Sequence, residues 1–596
     1  MRRFRPSLLV AAALLALAAA APSAAPAAIS YRTLFQDPGP ARTLDLSLDN
    51  RAIALMNATP KGEQLRFTFR DFNSQPITDA LIAAHRREVD VRGVIDGGER
   101  NQATVAQLVR EIGADRVVVC GERGVFNSCI SIADPPSLMH NKFMTFSRLA
   151  DGRGPIVLQT SKNFLAPSQL TYYNDMVEIE GDVPLHDAYN RYFDALQAQV
   201  RSADFYLFAP EAGPNTIFTS PRSQRSRETE DTIVERMDEI DCSEGGSASG
   251  RGLIRVANMA FRSERAVIMT RLVALHREGC EIDVIATNLD GDIVAGLASE
   301  GIRVRPFFLR GLSTAQRQVI VHSKFWLVDA VSRLTGRRAK VVYAGSSNWR
   351  GDQQRSDDLL LRIADDGVYA AYAGYWEKIR GRVASDQATP ADDTTAPVSA
   401  LRRLPAPNPA GWNRDDVALR IAASDGHNVG NSGLKSLHVE LSGSQTGSWE
   451  LTGEQDAHRL AELVVSAEGT TTVRYRAEDR FGNLEPVHTD VVRIDRTLPR
   501  ISGLPATCLL WPPDHRIVHV ADVTASDGDG SGVAALTPAA TGGDVIVEGG
   551  SISVRAEKSE RGRARAYTLT ATATDIAGNS ADAAAECLVP HSQGED

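Results

Sequence analysis

Three features are scarce in this chain of 596 residues, and each scarcity argues against a class of protein. Lys and Arg number 65 against 75 Asp and Glu, a formal charge of −10, so the chain lacks the cation excess on which general polyanion binders draw. No Cys-x2-Cys spacing occurs, so we expect no metal site and no cofactor. Beyond residue 28, no apolar run is long enough to cross a bilayer.

The first 28 residues differ from the rest. Arg2, Arg3 and Arg5 precede an apolar run from Leu8 to Ala21, which small residues follow. This order is typical of a secretory signal that is removed on export. A permanent anchor is the alternative, but a run of 14 residues is short for a span of about 20. We therefore predict a secreted, extracellular protein.

Six cysteines agree with export, because disulfides persist in oxidising compartments. They divide evenly among the proposed domains. The expected pairs are Cys120 with Cys129, Cys242 with Cys280, and Cys508 with Cys587.

Two short segments carry the spacing His-x-Lys. They are His140-Asn141-Lys142 and His322-Ser323-Lys324, which lie 182 residues apart. Each is followed by a small-polar cluster that ends in Asn, at 160–163 and at 345–348. A single such segment is commonly a solvated strand edge, but two copies in matching surroundings indicate one site built from both halves of a duplicated domain.

The surroundings of the two segments repeat as well. A helical apolar spacing at 77–86 matches one at 268–277, and a strand pattern follows each, at 89–95 and 282–285. The element order is strand, helix, strand, helix, strand, His-Lys strand and Asn loop, twice over. Strands that alternate with helices predict an α/β fold with largely parallel sheets covered by helices.

With these motifs, residues 30–385 resemble the phospholipase D superfamily, whose signature H-x-K-x4-D with a following G-S-x-x-N is present twice. The second copy fits with Asp329, although its Asn comes one residue early; in the first copy Ser147 and Thr160 replace the expected Asp and Gly. The resemblance implies a bilobed α/β/α sandwich with the site at the lobe interface. We place lobe 1 at 29–205 and lobe 2 at 206–385.

Cleavage of a phosphodiester without a metal requires a nucleophile, a proton donor for the leaving alkoxide, and cations around the phosphoryl oxygens. By resemblance, His140 is the nucleophile and His322 the acid; the residues alone do not separate the two roles. Lys142 and Lys324 follow two positions later, so on a strand they share a face with their histidines.

Further polar residues complete the expected site. Asn163 and Asn348 are candidate amide donors to the phosphate. Asp175 and Asp358 open apolar strands after the Asn loops, and we assign both to orienting the histidines; strand or helix caps are the alternative for these two. The expected substrate-binding residues are Ser161, Ser346 and Asp329.

After residue 385 the composition shifts to Thr, Ala, Asp and Pro, which predicts a linker at 386–397. Alternating patterns then predict all-β structure, with Asp-x-x-Gly-Asn at 479–483 and again 96 residues later at 575–579. These segments resemble bacterial immunoglobulin-like sandwich modules, placed at 398–497 and 498–596. The stretch 527–532 invites a calcium interpretation, but Pro538 stands where the bidentate Glu belongs, which favours a solvated turn.

The predicted function is that of a secreted hydrolase acting on phosphoric diesters. We expect it to cleave the head-group phosphodiester of phospholipids to phosphatidate through a phosphohistidine, with transfer to alcohols. The alternatives are a secreted metal-independent endonuclease and a catalytically decayed binding protein. We expect a monomer with a phosphodiester substrate, a transient membrane-surface contact and no transmembrane anchor.

The choice between lipid and nucleic acid depends on residues near the motifs. An acidic chain makes nucleic acid the less favoured partner. Leu138, Met139 and the run 304–309 could admit acyl chains if they rim the cleft, and are strand core otherwise. The arginines that keep the nucleic-acid option open are Arg303, Arg305, Arg310, Arg350 and Arg355.

Overall fold

The computed structural model describes residues 28–38, 44–121, 127–133, 137–165, 172–210, 212–222, 231–309, 319–382, 393–426, 432–452, 458–559 and 563–592. Residues 1–27 of the predicted signal segment lie outside the described residues. Residues 386–392 of the predicted linker do so as well. Among the helices of the described residues, none has the length and apolar character needed to span a membrane.

Lobe 1 is built on a seven-stranded sheet with the strand order β1-β7-β6-β5-β2-β3-β4. Its strands are β1 (Ser30–Gln36), β2 (Gln64–Phe69), β3 (Asp90–Ile95), β4 (Val117–Val119), β5 (Phe143–Phe146), β6 (Ile156–Thr160) and β7 (Asn174–Glu180). Its helices are α1 (Ser47–Ala58), α2 (Gln75–Arg86), α3 (Ala103–Ile112) and α4 (Val183–Gln197).

Lobe 2 repeats this plan, with the order β13-β12-β11-β16-β17-β18-β9-β8 and with β10 paired to β16. Its strands are β8 (Phe208–Ala209), β9 (Asn215–Ser220), β10 (Ile240–Gly245), β11 (Leu253–Phe261), β12 (Glu281–Leu289), β13 (Arg303–Pro306), β14 (Phe308–Leu309), β15 (Val319–Ile320), β16 (Lys324–Ser332), β17 (Arg337–Gly345) and β18 (Asp358–Ile363). Its helices are α5 (Thr232–Asp238), α6 (Ala266–Arg277), α7 (Gly291–Ser299) and α8 (Asp366–Arg380). The matching strand orders agree with the predicted duplication.

The prediction of largely parallel sheets is wrong. In lobe 1 only the pairs β2–β3 and β3–β4 are parallel, whereas β5, β6, β7 and β1 pair antiparallel. The β5–β6 connection is a short excursion without a helix, and such connections join antiparallel neighbours. The helices alternate with strands only in the first part of each repeat, so both sheets are mixed.

The two lobes share one apolar core. It contains buried strand residues from both sheets together with Tyr189 and Tyr192 of α4 and Tyr372 and Trp376 of α8. The outer face of the first sheet is covered by α1, α2 and α3, and that of the second by α5, α6 and α7. Helices therefore cover both faces of each sheet, which explains why β5, β6 and most of β7 are buried along their length.

Helix α4 shows how local sequence positions this interface. The side chain of Asp182 accepts a hydrogen bond from Leu185 N, and Pro184 lies in the first turn, which together begin the helix. Apolar residues at positions 185, 189, 192, 193 and 196 then share one face and are buried. The same face carries the tyrosines of the shared core.

The C-terminal region is β-rich, with several sheets and two separate cores. Strands of its first part are β19 (Val398–Leu404), β20 (Val417–Ser424), β21 (Leu434–Gly443), β22 (Gly447–Thr452), β23 (His458–Val465), β24 (Gly469–Asp479) and β25 (His488–Ile494). Strands of its second part are β26 (Arg500–Ser502), β27 (Cys508–Leu509), β28 (Ile517–Asp522), β29 (Thr524–Ser526), β30 (Val533–Thr541), β31 (Val545–Glu548), β32 (Ser551–Arg555), β33 (Arg565–Asp575) and β34 (Ser580–Val589). We call these parts the first and second β module; their immunoglobulin-like identity stays a prediction.

All three predicted disulfides are confirmed. The bonds join Cys120 to Cys129, Cys242 to Cys280, and Cys508 to Cys587. Each closes a loop within one of the proposed domains.

Candidate active site

His140 is fixed to the backbone of the opposite lobe. Met139 forms an isolated bridge with Asp357, which directly precedes β18. His140 N donates to Asp357 O at 2.8 Å, and Asp357 N donates to Leu138 O at 2.8 Å. The first His-x-Lys segment of lobe 1 is therefore held by the last strand of lobe 2.

His322 has the reciprocal arrangement. Val321 forms an isolated bridge with Tyr173, which directly precedes β7. Tyr173 O accepts from both His322 N and Ser323 N at 2.9 Å. Each histidine thus depends on the other lobe for its position, and the two segments meet at the lobe interface.

The imidazoles have different side-chain supports. Nδ1 of His140 lies 3.2 Å from Oδ2 of Asp358, and Nδ1 of His322 lies 2.8 Å from Oδ1 of Asn174. The two bridges make Asn174 the equivalent of Asp358. The orienting role predicted for Asp358 thus has its contact, whereas Asp175 does not contact His322 in this structure.

Asp175 is one residue out of register with that predicted role. Its carboxylate accepts from the Tyr372 hydroxyl at 3.0 Å. The prediction of Asp175 rested on an acidic residue that opens an apolar strand after the Asn loop, whereas the position equivalent to Asp358 holds the amide Asn174. The correction is that Asn174 supports His322.

The two serines of the Asn loops hold these supports. Ser346 Oγ donates to Asp358 Oδ1, and Ser161 Oγ donates to Asn174 Oδ1 at 3.3 Å. Both serines are fully buried. Their predicted substrate contact is not available in this structure, because each hydroxyl faces the residue that orients a histidine.

The lysines complete one cluster of charge. Lys142 and Lys324 are buried, and Nζ of each donates to the carbonyl of its own histidine. Burial, followed by the charges of Lys142 and Lys324, holds the pKa of His140 well below its ordinary value. Burial, Lys324, Lys142 and then His140 do the same to the pKa of His322. Each imidazole is therefore neutral near pH 7 and lies within the field of both lysines.

The same burial acts on the charged partners. It lowers the pKa of Lys142 to about 7, although Asp358 opposes the change. It raises the pKa of Asp358 to about 6, and here Lys142 opposes the change. The pKa values of the Lys142 amine and the Asp358 carboxyl group therefore lie close together, although the ordinary values of the two groups are far apart.

Asn163 and Asn348 are also buried in the site. Nδ2 of Asn163 donates to Oδ2 of Asp71 at 2.7 Å. Within the described part of the chain, Oδ1 of each Asn has no hydrogen-bond partner. Their role as amide donors to a phosphate stays a prediction, and Asp71 enters as a neighbour that the sequence did not indicate.

Asp329 lies away from the site. It is five residues along β16 from Lys324, which corresponds to about 16 Å of strand, and its carboxylate accepts from Arg338 Nε at 2.6 Å. Its predicted contact with substrate does not fit this position. A structural role explains why Ser147 can replace it in lobe 1, where Ser147 Oγ donates to Glu63 at 2.6 Å.

Asp357 was missed from the sequence. Its buried carboxylate accepts from the backbone N–H groups of Cys129, Ile130 and Ser131 at 2.5, 3.0 and 2.7 Å. Burial raises its pKa to about 7, despite these three donors. Asp357 therefore ties the disulfide segment before His140 to lobe 2; the Asp357-Asp358 pair at the start of β18 was the available signal in the sequence.

Comparison with known proteins gives one family match. Residues 53–197 match the family described as "Cardiolipin synthase, PLD-like domain", so this part of the chain contains a phospholipase D-like domain. No curated protein matches the chain.

Solved structures with similarity include polyphosphate kinase from Porphyromonas gingivalis, at 15% identity and a TM-score of 0.39, over 59% of this chain and 47% of that one. The match thus spans less than half of the kinase. Nuc from Salmonella typhimurium, a phospholipase D family member, has 17% identity and a TM-score of 0.22, over 29% and 96% of the two chains. NucT from Helicobacter pylori has 15% identity and a TM-score of 0.22, over 28% and 96%.

Proposed function

We propose that the protein is a phospholipase D-type phosphodiesterase that hydrolyses the head-group diester of phospholipids through a phosphohistidine. The supporting observation is the pair of imidazoles, each held at Nδ1 by an oxygen of the other lobe. A ring that donates from Nδ1–H leaves Nε2 bare. Two such nitrogens beside two lysines suit in-line displacement at one phosphorus atom.

The unequal supports assign the roles. Formation of the N–P bond places positive charge on the nucleophilic ring, which the carboxylate of Asp358 stabilises and the amide of Asn174 does not. An imidazolium without a carboxylate behind it is the stronger acid. His140 is therefore the nucleophile and His322 the acid, in agreement with the roles implied by the resemblance.

The reaction proceeds in two displacements. Nε2 of His140 attacks phosphorus, the P–O bond to the head group breaks, and the leaving alkoxide takes a proton from Nε2 of His322. His322 carries that proton once the anionic phosphate offsets Lys142 and Lys324. Nε2 of His322 then accepts a proton from water, which attacks phosphorus and breaks the N–P bond. An alcohol in place of water gives the transfer product.

The surroundings favour a lipid head group over a nucleic acid. His140 and His322 are only 8% and 5% exposed, a recess suited to a phosphodiester presented on a flexible end. Three arginines that kept the nucleic-acid option open form ion pairs, which reduces their value for phosphate contacts: Arg303 with Glu281, Arg305 with Asp283 and Arg350 with Asp352. Arg310 lies outside the described residues.

The apolar segments near the motifs add no support for acyl binding. Met139, Val304 and Phe307 are buried, as expected of strand core, and Leu138 is half-buried. Contact with the rest of the lipid therefore belongs to other residues.

Release of choline from phosphatidylcholine vesicles tests the proposal. The full chain in EDTA at 20 °C should release choline, and His140→Ala should not. His85→Ala is the matched control, because His85 is a partly exposed imidazole on α2, outside the site. Degradation of plasmid DNA in EDTA with intact lipid would indicate a nuclease instead, and inactivity on both would indicate a binding protein.

A further inference from the structure

Three buried carboxylates converge where the second β module joins the first. Asp495 follows β25, Asp527 follows β29 and Asp575 ends β33, and one oxygen from each lies within 4.8 Å of the others. They are 2%, 7% and 2% exposed. The solvated turn expected at 527–532 is therefore wrong for Asp527, although Asp529, two residues on, is exposed.

Among the described residues, no Lys, Arg or His forms an ion pair with these three carboxylates. Arg496, next to Asp495 in sequence, pairs with Asp416, and the guanidinium of Arg414 donates to Gly578 O. Like charges this close in a low-dielectric site are unfavourable unless a cation or proton joins them.

Hydrogen bonds to this cluster leave one carboxylate oxygen without a donor. Asp527 Oδ2 accepts from Gly532 N at 2.7 Å, and Asp495 Oδ2 accepts from Ser531 N at 2.6 Å. Asp527 Oδ1 is buried and has no donor in the described part of the chain. A Cβ built on Gly530 would lie 2.7 Å from Asp527 Oδ2 and 2.9 Å from Asp495 Oδ2, so Gly530 packs directly against both carboxylates.

The arrangement recurs in the first β module. Asp393, Asp425 and Asp479 are buried, and their oxygens also lie within 4.8 Å of one another. The equivalent hydrogen bonds are Ser432 N to Asp393 Oδ2 at 2.6 Å, Gly433 N to Asp425 Oδ2 at 2.7 Å, and Asn483 Nδ2 to Asp479 Oδ2 at 2.7 Å. In the second module Asn579 Nδ2 donates to Asp575 Oδ2 at 2.8 Å. Two modules thus present the same acidic geometry.

We propose that Asp495, Asp527 and Asp575 bind Ca²⁺, and that Asp393, Asp425 and Asp479 form a second site of the same kind. The donors are all oxygen, which suits hard cations and disfavours zinc, for which nitrogen and sulfur ligands are usual. Three fixed carboxylates with room for carbonyl or water ligands suit Ca²⁺ better than Mg²⁺, which demands near-ideal octahedral geometry and keeps its water.

The sites lie at the joints of the chain. Asn408 Nδ2 and Arg414 Nη1, both of the first module, donate to Ile576 O at 2.8 Å and to Gly578 O at 3.1 Å. The turn 575–579 that carries one ligand is thus also the contact between modules. The first module meets lobe 2 through Arg402 and Glu300, which form an ion pair. Bound calcium would fix the orientation of each module relative to the unit before it.

Calorimetric titration of the chelator-treated full chain with CaCl₂ tests the proposal directly. The wild type should bind two Ca²⁺, Asp527→Asn one, Asp425→Asn one and the double variant none. Asp529→Asn removes an exposed carboxylate from the same loop and should still bind two. MgCl₂ in place of CaCl₂ should give at least tenfold weaker binding.

Thermal unfolding supplies a readout that a merely structural role would not produce. Saturating Ca²⁺ should raise the Tm of the module transition by at least ~5 °C. Without Ca²⁺, in chelator, the Asp527→Asn variant should be the more stable protein. The substitution removes like-charge repulsion and should raise Tm by roughly 2–5 °C over wild type. A wild type that binds no Ca²⁺, or an Asp529→Asn variant that loses as much binding as Asp527→Asn, would overturn the proposal.

Discussion

The two half-sites have the same backbone arrangement and differ in the side chain that supports each histidine. Asp357 and Tyr173 hold His140 and His322 by equivalent bonds, yet a carboxylate stands behind the first ring and an amide behind the second. The shared part reflects duplication, because both frames come from the same strand order. In the proposed mechanism this difference separates the two roles, since one ring carries positive charge in the intermediate and the other releases a proton.

The largest expected effect comes from removing either ring. We expect His140→Ala and His322→Ala to lower the rate of choline release by roughly 10⁴-fold or more. The two variants should differ in the intermediate, because His322→Ala still permits attack by His140 and should accumulate a phosphoenzyme with an activated substrate. Acid-labile phosphoenzyme in His140→Ala instead would reverse the assignment.

Exchange of the supports probes the asymmetry itself. Asp358→Asn should lower kcat by roughly 10²-fold, because the carboxylate that stabilises the His140 cation is lost. Asn174→Asp should lower it by roughly tenfold, because a carboxylate weakens His322 as an acid. In the double variant the phosphorylated residue should move to His322, as peptide mapping of the trapped intermediate can check. Equal effects of the two single variants would remove the basis for the division.

The pH dependence follows from Asp358 and Lys142. Asp358 is needed ionised and its pKa is raised to about 6, so activity falls as the pH drops through this value. Lys142 is needed protonated and its pKa is lowered to about 7, so activity falls as the pH rises through it. We expect kcat/KM to peak between about pH 6 and 7. Lys142→Arg keeps its charge and should extend activity to higher pH; an unchanged alkaline limb would exclude Lys142 as its source.

The Asp357→Asn variant tests the contact that ties the segment before His140 to lobe 2. The amide replaces one acceptor of backbone N–H groups by a donor, so we expect a loss of about 2 kcal/mol of unfolding free energy near pH 7, measured with urea. Burial raises the pKa of Asp357 from 3.8 to about 7. The folded wild type therefore binds the extra proton, and this contribution to stability is lost as pH rises from about 4 to 7. The variant should lack that slope, whereas Asp187→Asn, an exposed control, should keep it.

The smallest expected effects on kcat come from the two serines that hold the supports of the histidines. Ser346→Ala removes a hydrogen bond to the carboxylate of Asp358 and should lower kcat by roughly tenfold. Ser161→Ala removes one to the amide of Asn174 and should lower it by only about twofold. The reverse order, measured under the same conditions, would mean that the two supports do not differ in charge.

Sequence reasoning found the features that repeat or lie close along the chain. The motifs around His140 and His322 and the duplicated elements repeat along the chain, and the three disulfides follow from the even division of the cysteines among the proposed domains. Asn174 was missed because the prediction required an acidic residue, and the equivalence of Asn174 to Asp358 is visible only from the paired bridges between the lobes. The strand directions were misjudged because helices stand between strands in only part of each repeat.

The acidic clusters were missed for a related reason. Asp495, Asp527 and Asp575 are separated by 32 and 48 residues, so no short motif in the sequence predicts that they form a cluster. Each follows or ends a strand, and the module packing alone brings them together. Asp-x-x-Gly-Asn was noticed as a turn, yet its Asp supplies the carboxylate and its Asn fixes that carboxylate in place.

Because both His140 and His322 are anchored by the opposite lobe, neither half of the chain contains a complete candidate active centre. A chain cut between the lobes should give two inert fragments that regain turnover only when mixed and annealed. The ring pair cannot assemble before the lobes dock, so turnover would report that both halves have come together.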